Sequence, residues 1–333
     1  MAKLLDTVLL LALPASGKSE VRKYLDGLKA ETCKRDFGIG ETLQLDDYPY
    51  VHFMHRIDDE LAARGYPYIF YKGPNRPFGE PFEWGTLIHM LNEDYDDLLH
   101  KRTAHPASAA QLLFDRLDAA RARAGLPEEL AEVPYRLRCE VAEALEDECA
   151  KELANKNKVC SKDKKGKTVF IEMARGGDNG AAFPLTPPRG YEYAFSQLSQ
   201  DILDRACILY VWVTPEDSRR KNIERARPDG QGSILHHSVP MEVMLGDYGC
   251  DDIEHLMKRS GKPDTIHLER LQEETDAKGA RRYALRTWDL PIGRFDNRKD
   301  LTSFIRNKVW KPTEVGALHR GLKAAFDKLA RIA

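Results

Sequence analysis

Cysteine is scarce and scattered in this chain. Its six thiols, at positions 33, 139, 149, 160, 207 and 250, form no C-x-x-C pair and show no metal-ligand spacing. They are expected to be reduced and mostly buried, as in a cytoplasmic protein. No apolar run is long enough to span a membrane, so no membrane association is expected. The N-terminal run Val8 to Leu13, with Lys3 before it and Ala15 and Ser16 after it, imitates a secretory leader. Asp6 interrupts its start, and its length is at the short end of the roughly 7–15 residues such a segment uses. An excess of either charge is absent as well. The 51 Lys and Arg nearly balance 53 Asp and Glu, leaving a net charge of −2 and no global basic field for DNA or RNA. One local basic run, Lys156, Lys158, Lys162, Lys164, Lys165 and Lys167, reads as a solvated loop leading into a strand. Internal repeats and low-complexity tails are missing too.

What the chain does have is core-forming material. Apolar residues make up 42% and charged residues 31% of 333 positions, enough for one large α/β domain with an insertion, or for two domains.

The most informative segment is Leu13-Pro14-Ala15-Ser16-Gly17-Lys18-Ser19, directly after the apolar run. A buried strand entering a tight turn, with Lys and Ser opening a helix, lets backbone N–H groups and the helix N-terminus converge on phosphate oxygens. Lys18 is placed to reach β- and γ-phosphates, and the Ser19 hydroxyl to complete the coordination of Mg²⁺. Leu13 to Glu20 are the expected nucleotide-binding residues. The Walker A pattern G-x-x-x-x-G-K-[ST] has glycine where this chain has Ala12, a mild departure because alanine is small. Val21, Tyr24, Leu25 and Leu28 follow at helical spacing and give one apolar stripe for packing on a sheet.

Alternating strand and helix patterns then predict a parallel sheet with helices on both faces. Strand two, Glu41 to Leu45, ends in Asp46-Asp47-Tyr48-Pro49. Ligands of such sheets sit at the carboxyl ends of strands, so Asp46 and Asp47 are candidates to take a proton from an acceptor hydroxyl or to hold Mg²⁺. Residues 73–81 read as a Pro/Gly-rich loop, followed by helices over about 84–103, 107–124 and 128–156. Strand three, Thr168 to Ile171, ends at Glu172, a candidate carboxylate near the metal. Arg175, next to Gly176-Gly177, is a candidate for meeting an anionic substrate. A helix over about 194–205 leads to strand four, 207–213. Thr214-Pro215-Glu216 then opens a helix carrying Arg219, Arg220, Arg225 and Arg227. Arg220 and Arg227, seven apart, share a face. Next, a glycine-bracketed loop carrying His236 and His237 reads as a movable lid able to contact substrate. A hairpin over 265–271 and 282–288, a last core strand at 291–295 and a helix at about 313–332 complete the reading.

In this order the features resemble the P-loop kinases of the nucleoside-monophosphate-kinase-like superfamily, which includes nucleotide, nucleoside, gluconate and polynucleotide kinases. The resemblance covers roughly residues 5–72 and 166–260, is specific at the phosphate loop, and is positional elsewhere. It implies a P-loop NTPase-type three-layer α/β sandwich with a mostly parallel sheet and a C-terminal β-hairpin. Residues 1–72 and 158–333 would form that core; the residue pattern itself, not the resemblance, gives residues 73–157 as an all-helical insertion expected to cover the substrate. It also implies ATP·Mg²⁺ on Leu13 to Ser19, an acceptor beside Asp46 or Asp47, and Arg220 and Arg227 closing over the phosphates. The expected activity is transfer of the γ-phosphoryl group to a small-molecule acceptor such as a nucleotide, nucleoside or sugar derivative. Two other readings stand beside it. One is a nucleotide-dependent switch or ATPase acting through partners, although Glu172 lacks the Asp-Glu pair of many motor ATPases. The other is a polynucleotide 5′-hydroxyl kinase, which the near-neutral charge disfavours.

Overall fold

Val8, Leu9, Leu10 and Leu11 are fully buried, as consecutive apolar residues must be when both faces of a strand are covered. They lie in β1 (Thr7–Leu11), an inner strand of a six-stranded sheet with order β2-β3-β1-β4-β6-β5. The computed structural model describes residues 4–225, 238–275, 279–306 and 309–332. The strands β2 (Glu41–Asp46), β3 (Lys167–Met173), β1, β4 (Ala206–Trp212) and β6 (Arg281–Asp296) pair in parallel, and β5 (Thr265–Thr275) closes the edge antiparallel to β6. The molecule is therefore α/β with a mostly parallel sheet. From β1 the chain passes over β3 to β2, returns to β3, and then crosses β1 to reach β4. The order reverses at β1, and the crevice at the carboxyl end of such a switch point is where open α/β sheets bind ligands.

Helices cover both faces. On one side α1 (Lys18–Asp26) and α13 (Pro312–Ile332) bury Val21, Tyr24, Leu322 and Phe326 against Val8, Leu10, Phe170 and Leu209. The short α2 (Ala30–Thr32) leads into a π-turn at Cys33–Phe37 on that side. The opposite face is covered by α4 (Glu83–His100), α8 (Gly190–Gln197), α9 (Gln200–Leu203) and α12 (Ile253–Arg259), with Leu91, Tyr95, Tyr191 and Phe195 over Leu9, Leu11 and Ile171. A second apolar core joins α3 (Tyr48–Ala63), α4, α5 (Ala109–Arg123), the short α6 (Glu129–Glu132) and α7 (Tyr135–Cys160) through Ile57, Leu87, Phe114, Leu117 and Leu145. Thus α3, although it precedes residue 73, packs with the helices of the expected insertion. After β4 come α10 (Pro215–Arg225) and α11 (Met241–Gly246).

Several expected boundaries shift. The hairpin's second strand and the separate strand at 291–295 are one 16-residue strand, β6. Pro291 is tolerated there because parallel pairing with β4 begins only at Ile292, so its missing N–H interrupts no β4 ladder. The outer part of the hairpin leaves the sheet and exposes Leu271, Tyr283 and Leu285. The helix expected over 194–205 splits at Leu198, which is extended, and Ser199 caps α9 by accepting from the Ile202 N–H. The helix expected from 128 begins at Tyr135, since Pro134 interrupts it. The lysine run is largely neutralised: Lys156 pairs with Asp97, Lys164 with Asp6, and Lys162 and Lys167 with Glu41. All six cysteines are free thiols. Among the described residues, no helix is long and apolar enough to cross a membrane.

Candidate active site

The loop after β1 has its carbonyl groups turned into the protein. Tyr191 donates its hydroxyl to the Ala12 carbonyl (3.1 Å), and Ser16 Oγ donates to Leu13 O (2.7 Å). Ser218 Oγ donates to Pro14 O (2.7 Å), and Asn297 Nδ2 donates to Ser16 O (2.7 Å). A trans peptide points its N–H opposite to its C=O. Binding the carbonyls of residues 12, 14 and 16 from behind therefore turns the N–H groups of Leu13, Ala15 and Gly17 the other way. Among the described residues, the N–H groups of Ala15, Gly17, Lys18 and Ser19 find no backbone acceptor. Ala15 (φ 58°) and Gly17 (φ 102°) supply the left-handed turns, and Gly17 caps α1. Alternating turns of this kind, ending on a helix N-terminus, make a cradle for an anion.

Around the cradle stand charges of both signs. Lys18 Nζ donates to Met173 O at the end of β3 (3.0 Å). Burial lowers its pKa, against the pull of Glu172, Asp47 and Asp46. Asp46 and Glu172 occupy paired positions on β2 and β3, so the sheet itself sets them side by side. Arg22 on α1 bridges them, Nη1 donating to Glu172 Oε2 (3.1 Å) and Asp46 Oδ2 (3.5 Å). Burial, followed by the charges of Glu172 and Asp47, pushes the Asp46 carboxyl up to about 7. Asp47 accepts from Arg175 Nη1 (2.6 Å), and Arg175 lies over the Trp84 ring (4.9 Å). Arg175 is 2% exposed, and its Nε and Nη2 have no acceptor among the described residues.

These groups open onto a cleft of about 490 Å³. Its far wall is aromatic. His55 stacks on Tyr71 (3.6 Å), Tyr71 on Phe78 (4.7 Å), and Trp84 meets both Phe78 (5.0 Å) and Tyr248 (5.6 Å) edge-on. Asp58 holds that wall by accepting from the N–H groups of Ile69, Phe70 and Tyr71.

The cleft brings together Leu13, Pro14, Ala15, Ser16, Gly17, Lys18, Ser19, Glu20, Asp46, Asp47, Glu172 and Arg175. Glu20 is buried and pairs with Arg306 (2.6 Å). Arg220 is not part of the lining: its half-exposed guanidinium pairs with Asp217 (3.1 Å) and Glu224 (2.8 Å). The arginine of α10 that lines the cleft is Arg225. The placement follows from helical phase, because α10 turns Ser218, Lys221, Asn222 and Arg225 inward. Arg227, His236 and His237 lie outside the described residues. The residues missed from sequence are Tyr48, Val51, His52, His55 and Asp59 on α3 and the aromatic wall. On α3 a signal was present, since these positions recur at helical spacing directly after the acidic pair.

Comparison of the chain with protein-family models, curated proteins and solved structures gives no match.

Proposed function

We propose that the protein is an ATP-dependent phosphotransferase that moves the γ-phosphoryl group to a small-molecule acceptor. The observation that carries this reading is the loop after β1, the carbonyls of residues 12, 14 and 16 bound from behind and the N–H groups of Ala15, Gly17, Lys18 and Ser19 without a backbone acceptor among the described residues. In this reading the cradle and Lys18 bind the triphosphate and stabilise the charge spread over it during transfer. Arg225, on the cleft wall, would add positive charge on the same side. The donor set beside the loop is oxygen-only: Ser19, Asp46 and Glu172. Oxygen ligands of this kind suit a hard cation such as Mg²⁺, which keeps several waters and arrives with phosphates. Ser19, Asp46 and Glu172 would hold Mg²⁺, which when bound neutralises phosphate charge. Asp47, held by Arg175 at the cleft wall, would orient or deprotonate the acceptor hydroxyl. Arg175 offers two buried nitrogens with no acceptor among the described residues, on what would be the acceptor side of the cleft.

The test is ADP release from ATP·Mg²⁺, alone and with nucleosides, nucleotides, sugars, sugar acids and 5′-hydroxyl oligonucleotides. Acceptor-dependent release, abolished in Lys18→Ala at unchanged melting temperature, is the expected result. Release indifferent to every acceptor would favour the ATPase or switch reading. Undiminished turnover in Lys18→Ala would reject the mechanism.

A further inference from the structure

Asn297, in the turn after β6, is fully buried and every polar atom it has is used. Its Nδ2 donates to Ser16 O (2.7 Å) and Thr302 Oγ1 (2.8 Å), and its Oδ1 accepts from the Leu301 N–H (2.7 Å). Its backbone N–H donates to Trp212 O at the end of β4 (2.8 Å). Its carbonyl accepts from Lys221 Nζ of α10 (3.2 Å), which also reaches Asp300 (3.3 Å). A reversed amide would set Oδ1 against the Ser16 carbonyl and Nδ2 against an N–H, so only one orientation satisfies the network. One residue, through its backbone and its side chain, thus joins the ends of two core strands, the inward face of α10 and the middle of the phosphate loop.

The consequence lies in the Ser16–Gly17 peptide. While Asn297 holds its carbonyl, the Gly17 N–H faces away from the protein. Behind the loop there is no slack, because a methyl group on Gly17 would lie 2.7 Å from Asn297 Nδ2 and 2.5 Å from Thr302 Oγ1. The second tie, from Ser218 to Pro14 O, comes from the same helix that Lys221 anchors to Asn297. The loop and α10 therefore share one bracket, and Arg225 sits at the end of that helix on the cleft wall. We propose that Asn297 is a positioning residue that sets the phosphate loop in its binding geometry and, through Lys221, couples it to α10. The proposal rests on the reading of residues 13–19 as a nucleotide site. It concerns a residue that touches no ligand itself and acts through Ser16.

The test measures Mg·ADP binding by calorimetry on the full chain, with thermal melts of the same samples. Four uncharged substitutions are compared. Asn297→Ala removes the bond to Ser16. Thr302→Val removes the acceptor that orients Nδ2, whereas Thr302→Ser keeps it. Phe326→Leu, on α13 in the core, loses stability without removing a hydrogen bond to the loop. Asn297→Ala should weaken Mg·ADP about five- to tenfold, the range for losing one hydrogen bond. Thr302→Val should weaken it less, Thr302→Ser should bind like the wild type, and Phe326→Leu should melt earlier yet bind normally. Wild-type affinity in Asn297→Ala, or an equal loss in Phe326→Leu, overturns the positioning role. Absence of Mg·ADP binding by the wild type itself overturns the nucleotide reading and the proposal together. That result is told apart by needing no variant.

Discussion

A methyl group on Gly17 would meet Thr302 Oγ1 and Asn297 Nδ2 well inside van der Waals contact, at a backbone φ of 102° that side chains avoid. Gly17→Ala is therefore expected to lower stability by about 1–3 kcal/mol and to weaken Mg·ADP more than tenfold, read by denaturant unfolding and calorimetry. Asp46 gives a prediction of a different kind. Burial and the neighbouring Glu172 and Asp47 raise its carboxyl from an ordinary 3.8 to about 7. The folded protein keeps a proton there that the unfolded chain releases from about pH 4 upward. Its stabilising contribution is therefore complete below pH 4 and is lost as the pH rises through 7. Asp46→Asn cannot lose that proton. Its stability relative to wild type should climb between pH 4 and 7 and level off above, in unfolding titrations without nucleotide or Mg²⁺. A flat difference across that range would contradict the raised carboxyl.

Asp58 shows how one helix supports the aromatic wall. From α3 its carboxylate gathers the N–H groups of Ile69, Phe70 and Tyr71, and Tyr71 carries His55 on one face and Phe78 on the other. Asp58→Ala leaves three buried donors without that acceptor, and a loss of about 2–4 kcal/mol is expected in urea unfolding. On the phosphotransferase reading proposed above, the KM for the acceptor should rise while the KM for ATP holds. An equal rise in both would mean that the wall serves the whole cleft. Such elements also mark what can be read from a sequence. The turn of residues 12–17 between β1 and α1 was legible because the covered strand before it is apolar from Val8 onward and a glycine stands directly before the helix. The acidic pair and Glu172 were legible because strand ends converge on one sheet edge. The aromatic wall was not, because His55, Tyr71, Trp84 and Tyr248 come from four separate segments that only tertiary packing unites. Which arginine of α10 faces the cleft was not legible, for a related reason. Composition draws the eye to Arg220, while the buried face is set by Ser218, Lys221 and Asn222, whose partners lie on other elements.

Two apolar cores meet at α4, and that shared helix decides how the molecule comes apart. Ile88, Leu91, Tyr95 and Leu98 of α4 pack toward the sheet, whereas Trp84, Leu87 and Met90 pack toward α3, α5 and α7. The link has polar splices as well. Asn92 of α4 donates to Gln197 O and accepts from the Ser199 N–H (both 2.8 Å), and the Tyr95 hydroxyl meets Thr7 on β1 (2.8 Å). A helical unit that merely covered the site would melt by itself. This one would strip the sheet of a covering helix if it melted, exposing the side chains on Leu9, Leu11 and Ile171. Leu117, fully buried on α5 and remote from the sheet, probes the difference. Leu117→Ala should cost about 2–5 kcal/mol, the range for a large cavity. Amide exchange at α5 and at β1 should accelerate together, and the thermal transition should stay single. Faster exchange confined to α5 and α7, with β1 protected as in the wild type, would instead make the helical unit a separately folding cover. The cleft would then owe its aromatic wall to a part that can open without unfolding the phosphate loop.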